Sequence, residues 1–355
     1  MAEPHTPPAA STPSSEQLPE AVLITGAGGE VGHGLIDALH NAGVDVVALD
    51  MRPLPERSRA HCRWQLEGDV CDRSLLAPLH GEVRITTIYH LAALLSTASE
   101  RDPERAQRVN VEGTLALFEF ARVQAQRHGE PVRFIYPSSI AVFGLPDLDT
   151  KHRAGAVVEG VYLDPITMYG CNKLYVEHLG RYHARHYRQI EQPKPLPPID
   201  FRCVRYPGLI SAETVPTGGT SDFAPEMLHA AAQGKPYACF VREDARIPFM
   251  TMPDAIAATL ALANAPREQL RQCIYNLGAF APTAGEFAGL VRQAFPDAQI
   301  TFDAIHPVRQ GIVDSWPADV DASAAARDFG FRPKHDLQAA FDHYLVPAIR
   351  RRYGA

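Results

Sequence analysis

The sequence predicts an α/β fold: a doubly wound parallel sheet with a smaller α+β lobe beside it. Three observations carry that expectation. Apolar runs alternate with amphipathic stretches through the first 206 residues, the pattern of strands joined by crossover helices. The first apolar run, Ala21-Val22-Leu23-Ile24, leads straight into Thr25-Gly26-Ala27-Gly28-Gly29-Glu30-Val31-Gly32. The second, Val46-Val47-Ala48-Leu49, ends on an acid, Asp50.

Taken in order, strands are expected over 21–25, 44–49, 63–67, 85–91, 132–137 and 199–205. Helices are expected over 31–42, 73–80, 103–127 and 167–188. Residues 1–19 are rich in Pro, Ser, Ala and Thr, with no apolar centre, and read as a disordered tail. They lack the apolar core of a signal peptide and the arginines of a transit peptide. Residues 20–206 form a nucleotide-binding domain of the Rossmann type, to which 250–278 are expected to return. Residues 207–249 and 279–355, where turn residues increase, are expected to build the second lobe. The proline-rich stretch 189–198 reads as a surface loop.

Strand, tight glycine turn and helix together make an anion site. The first helical turn leaves backbone N–H groups free and carries partial positive charge. Gly26, Gly28, Gly29 and Gly32, with Glu30 and Val31, let a pyrophosphate approach that turn. Asp50 is placed to accept bonds from ribose hydroxyls and to repel a 2′-phosphate. NAD is therefore favoured over NADP, with nearby Arg52 softening the preference.

Composition fits a cytoplasmic enzyme. The chain has 355 residues, 46% of them hydrophobic, and a net charge of −7. No basic stripe suggests nucleic acid. No apolar run approaches ~20 residues, so no membrane span is expected. The six cysteines, Cys62, Cys71, Cys171, Cys203, Cys239 and Cys273, are far apart and read as buried thiols of a reducing compartment. His183 and His186 read as surface histidines, and no metal site is expected.

Tyr169-Gly170-Cys171-Asn172-Lys173 is the catalytic candidate. Spacing i, i+4 puts Tyr169 and Lys173 on one helix face. An ammonium beside a phenol lowers its pKa from about 10, making it a base for a hydroxyl proton. Only five lysines occur, so a chance pairing is uncommon. The plainer reading, a surface tyrosine beside a solvated lysine, has to contend with the neighbouring motifs. Phe134-Ile135-Tyr136-Pro137-Ser138-Ser139 is a buried strand ending in two hydroxyls at the ligand edge of the sheet. Ser139 is placed to orient the reacting oxygen. Asn110 is polar within an apolar helix pattern, either to hold the helix backbone open or to anchor a water near the lysine.

With Gly68-Asp69-Val70, His90-Leu91-Ala92-Ala93 and Phe143-Gly144 added, the set resembles the extended short-chain dehydrogenase/reductases, which include NAD-dependent sugar epimerases and dehydratases. The resemblance implies NAD as cofactor and Ser139, Tyr169 and Lys173 as the catalytic triad. It places Asp69 and Val70 at the adenine and Leu91, Ala92, Ala93 and Tyr206 along the cofactor. It also implies a homodimer formed through helices 103–127 and 167–188.

Arg205-Tyr206-Pro207-Gly208-Leu209-Ile210-Ser211, Gly218-Gly219-Thr220-Ser221-Asp222, Ile247-Pro248-Phe249-Met250 and the stretch from Arg309 to Pro317 resemble the short-chain-type L-threonine 3-dehydrogenases more narrowly. That resemblance implies oxidation of the threonine 3-hydroxyl and puts Ser96, Ser138, Thr220, Ser221 and Trp316 around the amino acid. Ser221 stands where that family often has threonine, and 145–164 and 189–198 look longer than usual. Physically, the Gly218-Gly219 N–H groups with Thr220 and Ser221 can hold a carboxylate. Asp222 can hold an ammonium or cap the helix after it, and Trp316 offers either an apolar wall or core packing. A nucleotide-sugar epimerase is the rival reading. It needs a diphosphate clamp, for which only Arg242 and Arg246 stand out.

Overall fold

The computed structural model describes residues 18–193, 195–216 and 218–354. The tail expected over 1–19 lies outside them as far as residue 17.

Seven parallel strands form the main sheet: β1 Glu20–Thr25, β2 Val46–Asp50, β3 Trp64–Glu67, β4 Arg84–His90, β5 Val132–Ser139, β6 Ile199–Tyr206 and β7 Ile274–Asn276. Their order across the sheet is β7-β6-β5-β4-β1-β2-β3. Thr25 pairs with Leu49 of β2 on one side and with His90 of β4 on the other. The winding reverses between β1 and β4, which opens a crevice at their carboxyl ends. Helices cover both faces, so a central strand must be apolar throughout. Ala21 to Thr25 are accordingly all buried.

The principal helices are α1 Glu30–Asn41, α2 Gly113–His128, α3 Met168–Arg185, α4 Phe223–Ala232, α5 Met252–Asn264, α6 Ala284–Ala294 and α7 Pro307–Ser315. Thr167 starts α3 by accepting from the Gly170 N–H at 3.1 Å, so Tyr169 and Lys173 fall on its first two turns. Two expected helices are interrupted. The one over 73–80 breaks into Arg73–Leu76 and Leu79–Glu82 around Pro78, which has no N–H to give. The one over 103–127 contains a π-helical turn, Arg108–Glu112, before α2 begins. A helix over Leu148–Ala154 lies in a stretch assigned none from the sequence.

Phe223, Met227, Phe249, Phe287, Trp316 and Phe341 pack in one cluster, which also takes in Ile140, Phe143, Leu145 and Val157 from the segment after β5. Gly208–Ile210 pairs in parallel with Phe249–Thr251, and Ala156–Val157, from the segment after β5, pairs with Asp319–Val320. Between the two parts of the second lobe the chain returns through α5, which packs on α1, and β7, which pairs with β6.

Burial corrects two expectations. Cys203, Cys239 and Cys273 are buried, but Cys171 is exposed and Cys62 and Cys71 are half-buried. His183 is half-buried with its ring 4.9 Å from that of Phe118, so it is a packing residue, whereas His186 is exposed. Among the described residues no three His, Cys, Asp or Glu side chains stand together as a metal site, and no helix is long and apolar enough to cross a membrane.

Candidate active site

A cavity of about 750 Å³ lies in the crevice between the sheet and the second lobe. Gly26, Gly28, Gly29, Glu30, Val31 and Gly32 form one wall, with Asp50, Asp69 and Val70 beyond them. Leu91, Ala92, Ala93 and Ser96 line it from the loop after β4. Ser138, Ser139, Tyr169, Lys173 and Tyr206 line its floor, and Ser221 and Trp316 face them from the second lobe. Asn110 and Thr220 stand behind this wall.

The glycine turn is built for close approach. Gly26 has φ +66°, and a Cβ there would meet Ala92 N at 2.6 Å. A Cβ at Gly32 would meet Ala27 O at 2.4 Å, so α1 packs directly on the turn. No side chain caps the start of α1, which leaves its first N–H groups facing the cavity. Asp50 Oδ2 accepts from the Gly28 N–H at 2.9 Å, and its Oδ1 accepts from the Arg52 N–H at 3.1 Å. The carboxylate that ends β2 thus also shapes the turn.

A buried relay joins the turn to the helices behind it. Thr114 Oγ1 donates to Asn110 O at 2.7 Å, so its oxygen accepts from His90 Nε2–H at 2.8 Å. His90 Nδ1 then accepts from Thr25 Oγ1 at 2.8 Å. Burial, with the nearby Lys173 charge, pushes His90 down to about 3, so the ring is neutral. Asn110 sits in the π-turn, where the widened backbone leaves its side chain facing the β4 loop. Its Oδ1 accepts from the Leu94 N–H at 2.8 Å and its Nδ2 donates to Leu94 O at 3.1 Å. The same Nδ2 donates to Asn172 Oδ1 at 3.3 Å, which ties the loop to the residue beside Lys173.

Lys173, on the cavity floor, is 4% exposed. Its Nζ donates to Pro137 O at 2.6 Å and lies 5.4 Å from the Tyr169 ring centre. Burial pushes Lys173 down to about 8. Burial also raises the Tyr169 phenol, the reverse of the lowering expected from an adjacent ammonium. At this separation the ammonium does not outweigh the loss of solvent. Ser139 Oγ accepts from the Ala141 N–H at 3.2 Å. Ser138 Oγ and Tyr136 OH are buried with no partner among the described residues, and Ser138 lines the cavity.

The second-lobe turn differs from expectation. Asp222 does not cap α4. Its Oδ2 instead accepts from the Gly219 N–H at 2.6 Å, so that N–H is already committed. Thr220 Oγ1 donates to Ser96 Oγ at 3.3 Å and Thr97 Oγ1 to Gly218 O at 2.9 Å. Of the expected carboxylate holders, Gly219 and Ser221 are in the lining, and Gly218 and Thr220 are not. Arg242 is held by Asp314 and Asp244, Arg246 by Glu286, and neither reaches the cavity. Sequence reasoning passed over Arg105, Ser211, Thr214 and Met252, all of which line it. Only Ser211 lay in a quoted motif.

Comparison with known proteins places the chain in a family. The profile of the NAD dependent epimerase/dehydratase family matches residues 22–278. The mitochondrial L-threonine 3-dehydrogenase of Bos taurus is 35% identical over 336 residues, 92% of this chain and 82% of that protein. The structure of L-threonine dehydrogenase from Clostridium difficile superposes with a TM-score of 0.80 at 30% identity, covering 95% of this chain and 99% of that one. The holo form of a GalE-like L-threonine dehydrogenase from Cupriavidus necator gives 0.78 at 33% identity, covering 94% and 99%. A UDP-glucose 4-epimerase from Thermotoga maritima, at 19% identity, shares the fold. The residues here suit NAD: a helix start with no side-chain cap, glycines that leave room for close approach, and a carboxylate ending β2. By its sequence and its fold, the chain belongs to the NAD dependent epimerase/dehydratase family, and its cofactor is NAD.

Proposed function

We propose that this NAD-dependent oxidoreductase of the CH–OH class oxidises the 3-hydroxyl of L-threonine, or of a close 3-hydroxy amino acid, to 2-amino-3-oxobutanoate. The observation that carries the reading is the meeting of Ser139, Tyr169 and Lys173 with Ser96, Ser138, Ser221 and Trp316 on one cavity. Similarity to L-threonine 3-dehydrogenases over most of the chain supports it.

NAD, when bound, supplies the hydride acceptor. The protein's own groups manage the proton and the fit. Tyr169 takes the hydroxyl proton, Lys173 stabilises the phenolate by its charge, and Ser139 donates to the reacting oxygen. Ser138 and Ser221 offer hydroxyls to the carboxylate. Trp316, 4% exposed, closes the apolar end against the methyl group.

That wall sets the first expectation. A methyl group in an apolar pocket is worth about 1–3 kcal/mol. L-Threonine should therefore exceed L-serine in kcat/KM by roughly 10- to 200-fold, measured by initial NADH formation. Equal rates for the two would remove Trp316 from substrate recognition.

Cofactor choice gives a second. Asp50→Ala removes the carboxylate facing the ribose and the acceptor of the Gly28 N–H. NAD affinity by titration calorimetry should fall roughly tenfold or more, as for a lost charged hydrogen bond, and the gap to NADP should narrow. Equal use of both cofactors by the unmodified protein would contradict this role.

The reading includes a homodimer. Tyr175 and Tyr182 project from α3, 50% and 42% exposed, which gives a second copy an apolar face. The outward positions of α2 are polar, Glu119 being paired with Arg73, so α3 is the stronger side of the contact. A monomer mass by light scattering would exclude it.

A further inference from the structure

We propose that Lys151 is a positioning residue that fixes Trp316 against the substrate end of the cavity. The proposal rests on the reading of Trp316 as a substrate wall.

Lys151 lies on the short helix Leu148–Ala154, which Asp147 caps by accepting from the Thr150 N–H at 2.6 Å. It is 3% exposed. A buried ammonium is costly without a partner, and no carboxylate forms an ion pair with it among the described residues. Its Nζ donates to Val313 O at 2.8 Å. That carbonyl belongs to the last turn of α7, where helical acceptors lack intrahelical donors and the dipole favours a cation. The same oxygen accepts from the Trp316 N–H at 3.2 Å. One carbonyl therefore holds both the lysine and the backbone of the tryptophan.

The rest of the segment brackets Trp316 on both sides. The Leu145 N–H donates to Ser315 O at 2.8 Å, just before it. Beyond it, Ala156–Val157 pair with Asp319–Val320, and the Asp321 N–H donates to Val157 O at 3.0 Å. The segment is closed on itself, with the Gly144 N–H donating to Tyr162 O at 2.8 Å. A Cβ at Gly144 would fall 1.7 Å from Asp164 O, so its two ends are pressed together. Leu145, Val157 and Trp316 share one core cluster. The stretch that looked longer than usual is thus a brace, and Lys151 is its contact with the carbonyl that anchors Trp316.

The test compares Lys151→Met with the unmodified enzyme, both carrying Trp64→Phe so that Trp316 is the sole tryptophan. Lys151→Met keeps length and removes the donor. The threonine-to-serine ratio of kcat/KM should fall roughly tenfold, through a raised threonine KM, while the NAD KM holds and Trp316 emission shifts to the red. Lys151→Arg, which keeps a charged donor, should restore most of the ratio. If Lys151→Met does not fold, Asp147→Ala, an exposed cap deletion, should move ratio and emission in the same direction by a smaller amount. Wild-type ratio and emission in the folded variant would overturn the proposal. If the unmodified enzyme does not oxidise amino acids, the substrate reading fails by itself, and the emission of the variants decides whether Lys151 positions Trp316.

Discussion

Tyr169→Phe is expected to lower kcat by roughly 100-fold or more while NAD still binds. The ring and its packing survive the change; the proton acceptor does not. General-base catalysis contributes typically about 10²–10⁴-fold, and the other phenol of the floor, Tyr206, has its hydroxyl committed to Thr259 Oγ1. Tyr136 has Lys173 Nζ 4.5 Å from its ring centre, but it does not line the cavity. Stopped-flow NADH formation on L-threonine, beside an NAD titration, separates the two effects. Turnover within a few fold of the unmodified enzyme would remove Tyr169 from the chemistry.

Lys173→Met is expected to cost about as much in turnover as Tyr169→Phe. The ammonium is the buried positive charge that favours the phenolate, and in an interior of low dielectric such a charge is felt strongly. Stability should move the other way. Burial holds Lys173 near 8, below the ordinary lysine value, so the fold disfavours its charged form. That burden is complete below about pH 8 and gone once the unfolded chain also loses its proton, near about 10.4. Methionine removes it, so the variant should melt at or above the parent temperature at pH 7, and the difference should shrink toward pH 10. A variant that loses stability at pH 7 would show that the Pro137 bond outweighs the buried charge.

The parts of this site that were legible in the sequence are those set by local spacing. Gly26 to Gly32 follow an apolar run directly, Asp50 ends the next, and Tyr169 and Lys173 are one helical turn apart; each pattern carries its geometry within a few residues. The illegible parts depend on distant partners. Asp222 reads as an ammonium holder or a helix cap; it lines the cavity, and its carboxylate turns back to the Gly219 N–H rather than capping α4. Asn110 reads as a polar helix residue, and its clamp on Leu94 appears only when the π-turn meets the β4 loop. Lys151 and Val313 are 162 residues apart, so no spacing rule links them. The expected lowering of Tyr169 failed for a related reason: a helical face gives proximity to Lys173, but burial is a property of the whole fold.

On the proposed function, this cavity passes a hydride outward to NAD from a small hydroxy amino acid and releases the reduced cofactor. The most direct measurement mixes purified protein with NAD and L-threonine and follows NADH absorbance over many enzyme equivalents. Accumulation of NADH well beyond one equivalent per active site is the expected result. Tightly retained NAD, no NADH from L-threonine, and interconversion of UDP-sugars would contradict the account and make the protein an epimerase.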